Sequence, residues 1–180
     1  MHKRNGFTLI ELMTSTAILS ILLLGAVTVF TTTLLSQSKA RVRRVIKLEG
    51  EQIISTIDFE LKNAQTIVSS CTGATVNSIQ YVRAGDTTQP VPTREISQEA
   101  NAPIMMGPAT ALESIMSDRV KMSPSGQLTF VCEQSPDSNA KFVTVTFALT
   151  NAQAGELRAE AGTIVESFRT GVSFRNFKAN

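Results

Sequence analysis

The sequence predicts an α+β fold in which one long N-terminal helix packs on a small antiparallel β-sheet. Two observations carry that reading. Up to residue 70 the apolar residues follow helical spacing and no proline interrupts them, the first being Pro90. After residue 70 glycine, proline and serine become frequent and apolar residues alternate at period 2, the spacing of strands with one covered face.

The helix has two halves of different character. No charged residue occurs between Leu12 and Ser38, and "AILSILLLGAVTVF" (17–30) is almost wholly apolar. About 20 such residues cross a bilayer as a helix. Thr14, Ser15, Thr16 and Thr31 to Thr33 soften the ends of the run, but helical hydroxyls bond back to preceding carbonyls. A cleaved secretory signal has an apolar stretch of roughly 7–15 residues with its small-residue cleavage site afterwards. This run is longer, and its candidate small residue precedes it. From Ser38 to Ser70 the pattern becomes amphipathic. Val42, Ile46, Ile53, Ile57, Leu61, Ala64 and Val68 form one stripe, and Lys39, Arg41, Arg43, Arg44, Lys47, Glu51, Asp58 and Lys62 fall elsewhere. The spacing predicts one helix of roughly 60 residues, on the order of 90 Å long. Gly25 and Gly50 are its weak points, each costing about 1 kcal/mol against alanine.

Glu11 lies inside the start of the apolar run, in "RNGFTLIELM" (4–13). An ionised carboxylate in a bilayer costs roughly 2.5–3.5 kcal/mol even on lenient insertion scales, so it needs a reason. The short basic head before it, with Gly6, Phe7 and Glu11 in "GFTLIELM", resembles the class III signal of type IV pilins and type II secretion pseudopilins. The resemblance implies cleavage between Gly6 and Phe7 by a membrane prepilin peptidase that also N-methylates Phe7. It implies that Glu11 pairs with the amino terminus of a neighbouring subunit during filament assembly. On that reading Glu11 is half of an ion pair, costly without its partner and tolerable once compensated. The alternative is an interfacial glutamate that reaches the headgroups.

The organisation that follows is a leader at 1–6, a membrane or filament-core helix at 7–37, an amphipathic helix half at 38–70 and a β-rich head at 71–180. Two departures from the family stand out. Many major pilins have a proline in the membrane half, where this chain has only Gly25. The basic cluster Lys39 to Lys47 falls on what the resemblance makes the outer side, against a naive positive-inside count. It is expected to be a solvated or inter-subunit helix face, with lipid phosphates before extraction as the other reading.

In the head, "SIQYV" (78–82), "QLTFVC" (127–132), "KFVTVTFAL" (141–149) and "TGVSFRNF" (170–177) read as four strands. Turn formers lie at Thr72–Asn77, at Gly126 and in "EQSPDSNAK" (133–141). Residues 84–126 hold five of the six prolines and read as a long excursion with a short helix near Thr110–Met116. Ile104, Met105, Met106, Ile115, Met116 and Met122 form an apolar group there, either core filling or a subunit contact. The segment 156–171 is ambiguous between helix and strand. Outside the cytoplasm the two cysteines, Cys71 and Cys132, tend to pair, two separate buried thiols being the alternative. In many major pilins the bridge closes the C-terminal region, which this pair would not do.

Little in the chain points to chemistry. The sole histidine, His2, lies in the leader, which excludes a catalytic histidine or histidine zinc site from the processed chain. No glycine-rich phosphate loop occurs. "PDSN" (136–139) has oxygen ligands for calcium, but a turn explains it better. Without Lys3 and Arg4 the chain holds 15 basic and 15 acidic residues, lacking the basic excess of a phosphate-neutralising binder. The expectation is therefore a non-enzymatic minor pilin with no catalytic residue, metal or cofactor and no nucleic-acid partner. Its implied partners are other pilins, the prepilin peptidase and N-methyltransferase, the inner-membrane assembly platform, and membrane lipid before assembly. It would be a single-pass inner-membrane precursor with its head outside the cytoplasm, then part of an extracellular pilus or pseudopilus. A minor pseudopilin of type II secretion shares these mechanics, and a DNA-uptake competence pilin is a third reading.

Overall fold

The computed structural model describes residues 8–69, 71–85, 93–134, 141–152 and 164–174. The chain forms two compact units, Met1–Ala40 and Arg41–Asn180. Helix α1 runs Leu9–Lys62. In the first unit its large apolar side chains are uncovered, Leu9 being 78% and Leu24 70% exposed.

In the second unit α1 turns Val42, Ile46, Ile53, Ile57 and Leu61 into a core shared with the sheets. Each such side chain, fully covered, contributes roughly 1.5–3 kcal/mol relative to exposure. The expected stripe extends to Val68, but the helix stops at Lys62. Asn63 ends it, its backbone N–H and its side-chain Nδ2 both donating to the Phe59 carbonyl at 3.1 and 2.9 Å. Ala64 then opens strand β1 (Ala64–Ile67), and Val68 is exposed. The β-branched run Thr66-Ile67-Val68 favours extension, and β3 offers it backbone partners.

Among the described residues nine strands follow β1: β2 (Thr75–Val76), β3 (Ser78–Arg83), β4 (Arg94–Ser97), β5 (Met105–Pro108), β6 (Glu113–Ser114), β7 (Val120–Met122), β8 (Thr129–Gln134), β9 (Lys141–Asn151) and β10 (Val165–Phe174). They make two antiparallel sheets, β1-β3-β4-β5-β6 and β10-β9-β8-β2, with β7 also paired to β9. The expectation of a single sheet of about four strands is thus too simple. Its four strands correspond to β3, β8, β9 and β10. Those missed are two to four residues long, too short to display an alternating pattern.

Residues 84–126 are the largest correction. Where described, they contain β4 to β7 rather than an irregular excursion, and no helix forms at Thr110–Met116. β5 and β6 make a hairpin there, pairing Met105 with Ser114 and Met106 with Glu113. Ladder bonds from β4 hold Met105–Pro108 extended, which leaves too few residues for a helix that must nucleate on its own. Ile104, Met106 and Met122 are buried in the shared core, and Ile115 and Met116 pack against it, so these five serve the core, whereas Met105 is half-buried outside it. In the ambiguous 156–171 segment the described part, from Ile164, is extended and enters β10.

Strand β9 buries Val143, Val145, Phe147 and Leu149 as their alternation predicts. Ala148 and Thr150 are buried as well. At Ala148 the turn at Gly126 lies so close that an added Cβ would overlap the alanine methyl. Gly50 has a similar role on the helix. The Phe168 ring, stacked on Phe147 at 5.3 Å between centroids, occupies the place where a Gly50 Cβ would stand. A Gly50→Val variant is therefore expected to lose about 1–3 kcal/mol by overpacking, read as a lower thermal midpoint of the detergent-solubilised chain. An unchanged or raised midpoint would show that the helix does not need this close approach.

Candidate functional site

The first turn of α1 places the acidic residue that the motif singles out. Thr8 precedes the helix, and its carbonyl accepts from the Glu11 and Leu12 amides at 3.1 and 3.3 Å. The Glu11 amide also lies 3.4 Å from Thr8 Oγ1. "TLIE" (8–11) has capping-box spacing, a signal legible in the sequence but not used in the reading above. The Glu11 side chain stands near the helix N-terminus, where the macrodipole favours negative charge. It is exposed and has no ion-pair partner among the described residues. Gly6 and Phe7, the expected cleavage and methylation positions, lie outside the described residues.

The hydroxyls from Thr14 to Thr33 are satisfied within the helix. Ser15 Oγ and Thr14 Oγ1 donate to the Glu11 carbonyl at 2.7 and 3.1 Å, and Ser20 Oγ to that of Thr16 at 2.8 Å. Thr28, Thr31, Thr32 and Thr33 bond back in the same way. No hydroxyl of that stretch need therefore seek water, which is what lets such residues enter hydrocarbon or a helix bundle. The helix is long and apolar enough to cross a membrane, and the window that qualifies is wholly unburied.

In the second unit the structure joins Cys71 and Cys132 in a disulfide. Cys71 follows β1 rather than the helix itself, and Cys132 lies on β8. The Gly73 amide donates to the Cys132 carbonyl at 2.9 Å, so the bridge lies where the segment after β1 crosses to the second sheet. Gln98 makes another crossing. After β4 its side chain accepts from the Leu128 amide just before β8 and donates to the Ala102 carbonyl at 3.2 Å.

A third feature escaped the sequence reading. Glu60, in the last turn of α1, is buried and accepts from the Tyr81 hydroxyl at 3.0 Å. Arg94 Nε and Arg83 Nη1 approach its carboxylate at 3.7 and 3.9 Å, ion-pair distances beyond direct hydrogen bonding. Arg94 Nε is itself buried without a hydrogen bond. The signal in the sequence is an acid three residues after Ile57 and directly before Leu61, within the stripe, where a carboxylate needs partners. Burial, with the Glu60 charge adding to it, pushes the Tyr81 phenol up from 10.0 to about 12, and Arg94 opposes the shift. Among the described residues no three acidic, histidine or cysteine side chains gather as a metal site. The expected turn "PDSN" lies outside the described residues.

Residues 1–27 match the family model for the prokaryotic N-terminal methylation motif. No curated protein and no solved structure matches the chain.

Two outcomes are expected. Closing a loop across 61 residues contributes about 4 kcal/mol in the chain-entropy treatment. A Cys71→Ser/Cys132→Ser variant should lose most of that in urea unfolding, and an unchanged midpoint would assign the bridge no such role. The raised Tyr81 pKa means that the folded state holds the phenolic proton more tightly than the unfolded chain. Its contribution is therefore complete below pH 10 and disappears as pH rises towards 12, by about 2–3 kcal/mol. Stability measured against pH should fall over that window in the parent and less steeply in Tyr81→Phe.

Proposed function

We propose that this chain, which carries the class III prepilin signal of type IV pilins and pseudopilins, is a minor pilin of a type IV pilus. The motif makes it a pilin-like precursor that the prepilin peptidase processes and that assembles with other pilins. The finer reading runs as follows. The precursor is stored in the inner membrane with its head outside the cytoplasm. Cleavage after Gly6 and N-methylation at Phe7 release the new terminus, and the apolar helix then moves from lipid into a bundle of like helices.

The observation that carries this is the pairing of a prepilin motif with a helix whose apolar surface is uncovered from Leu9 to Leu35. That surface needs lipid or other helices around it. Glu11 gives the transfer its direction. In lipid its charge is uncompensated, whereas in the bundle the amino terminus of a neighbour lies beside it, and losing one half of a buried ion pair is strongly unfavourable. The role is structural rather than catalytic.

The Cys71–Cys132 bridge, which joins the segment after β1 to β8, favours a minor over a major subunit. A minor pseudopilin uses the same mechanics, and deletion separates the two: loss of surface filaments supports the pilus, loss of protein export the secretion system.

Mass spectrometry on sheared filaments tests the main reading. The parent should yield a peptide beginning at N-methylated Phe7, at low abundance beside a major pilin. Glu11→Gln should be processed but enter filaments at a small fraction of the parent level. Full incorporation of Glu11→Gln, or an intact Met1 leader in the filament, would overturn it.

A further inference from the structure

Residues 39–47 contain five basic side chains and no acidic one. They follow directly on the uncharged run Leu12–Ser38, about 40 Å of helix at ~1.5 Å per residue. Bilayer hydrocarbon is about 30 Å thick, and about 40–45 Å with its headgroups. The run therefore accounts for one bilayer and its headgroup layers, and the cations begin where phosphates lie.

The structure divides the cluster into two. Arg43 is occupied, its Nε 2.7 Å from Glu166 Oε1 on β10. Lys39, Arg41, Arg44 and Lys47 are exposed and have no ion pair among the described residues. Val42, Ile46 and Gly50 are buried on the opposite side of these turns, so Arg41, Arg44 and Lys47 share the uncovered side, whereas Lys39 is in line with Val42, three residues on. Leu48, 57% exposed, continues that side and offers it an apolar contact. A helix face that joins cations to apolar surface at the end of a membrane-length run fits an anionic phospholipid headgroup, and long basic side chains reach such phosphates by extending along the helix.

We infer that Arg41, Arg44 and Lys47 form a binding face for anionic phospholipid headgroups. It would hold the precursor at the membrane surface until assembly draws the helix out. The inference rests on the helix crossing a bilayer and not on which filament the chain enters.

The test uses the purified full-length chain in neutral detergent, incubated with phosphatidylglycerol or phosphatidylcholine, with retained lipid read by native mass spectrometry. The parent should keep phosphatidylglycerol at least about tenfold over phosphatidylcholine. Each cation replaced should weaken that preference roughly fivefold, so that Arg41→Gln/Arg44→Gln/Lys47→Gln loses it. Arg43→Gln should leave it intact, and Arg41→Lys/Arg44→Lys, which keeps the charge, should retain it. Equal retention of the two lipids by the parent overturns the inference, as does a triple variant with unchanged preference. Unchanged lipid preference with failed filament entry would instead make the face a subunit contact. Because the lipid reading is made without filaments, it fails or succeeds independently of the pilus assignment.

Discussion

The stripe Val42, Ile46, Ile53, Ile57 and Leu61 is the surface on which the second unit depends. A sheet buries a face only against another layer, and six of the strands here are two to four residues long. The helix supplies a straight row of aliphatic side chains, with Tyr81, Phe130 and Phe147 of the strands closing over it. Gly50 shows how tightly the two surfaces meet, since the space where a side chain would stand is filled by Phe168. A residue that weakens the helix locally is what allows that approach.

Polar ties fix what apolar burial leaves free. Hydrophobic contact has no direction, so register and end positions need hydrogen bonds and covalent links. Asn63 stops the helix and Glu60 ties its last turn to β3 and β4. Gln98 and the Cys71–Cys132 bridge connect one sheet to the other. All belong to the second unit, and a loss among them would act on its stability.

The first unit follows the opposite rule. From Thr14 to Thr33 its helix satisfies the side-chain hydroxyls locally and leaves its apolar side chains without cover. Such a segment is complete as hydrogen bonding and incomplete as packing, which suits a surface that exchanges lipid for helices under the proposed function. Between Phe7 and Ser38 Glu11 is the only charged side chain, and Thr8 fixes the turn that carries it.

The N-terminal motif, the apolar run, the amphipathic stripe and the four long strands were all legible in the chain, because each depends on local spacing. For the two cysteines the sequence left a bridge and two separate thiols open, and the structure joins them. What the tertiary structure decided has one cause: residues whose state depends on distant partners carry no local pattern. Ala64 to Ile67 extend because β3 is beside them, and Met105 to Glu113 form a hairpin because β4 holds one arm. Glu60 is tolerable within an apolar stripe only because Tyr81, Arg83 and Arg94 converge on it from two strands. Helical and strand periods are written in neighbouring residues, whereas strand pairing and charge compensation join residues far apart in sequence.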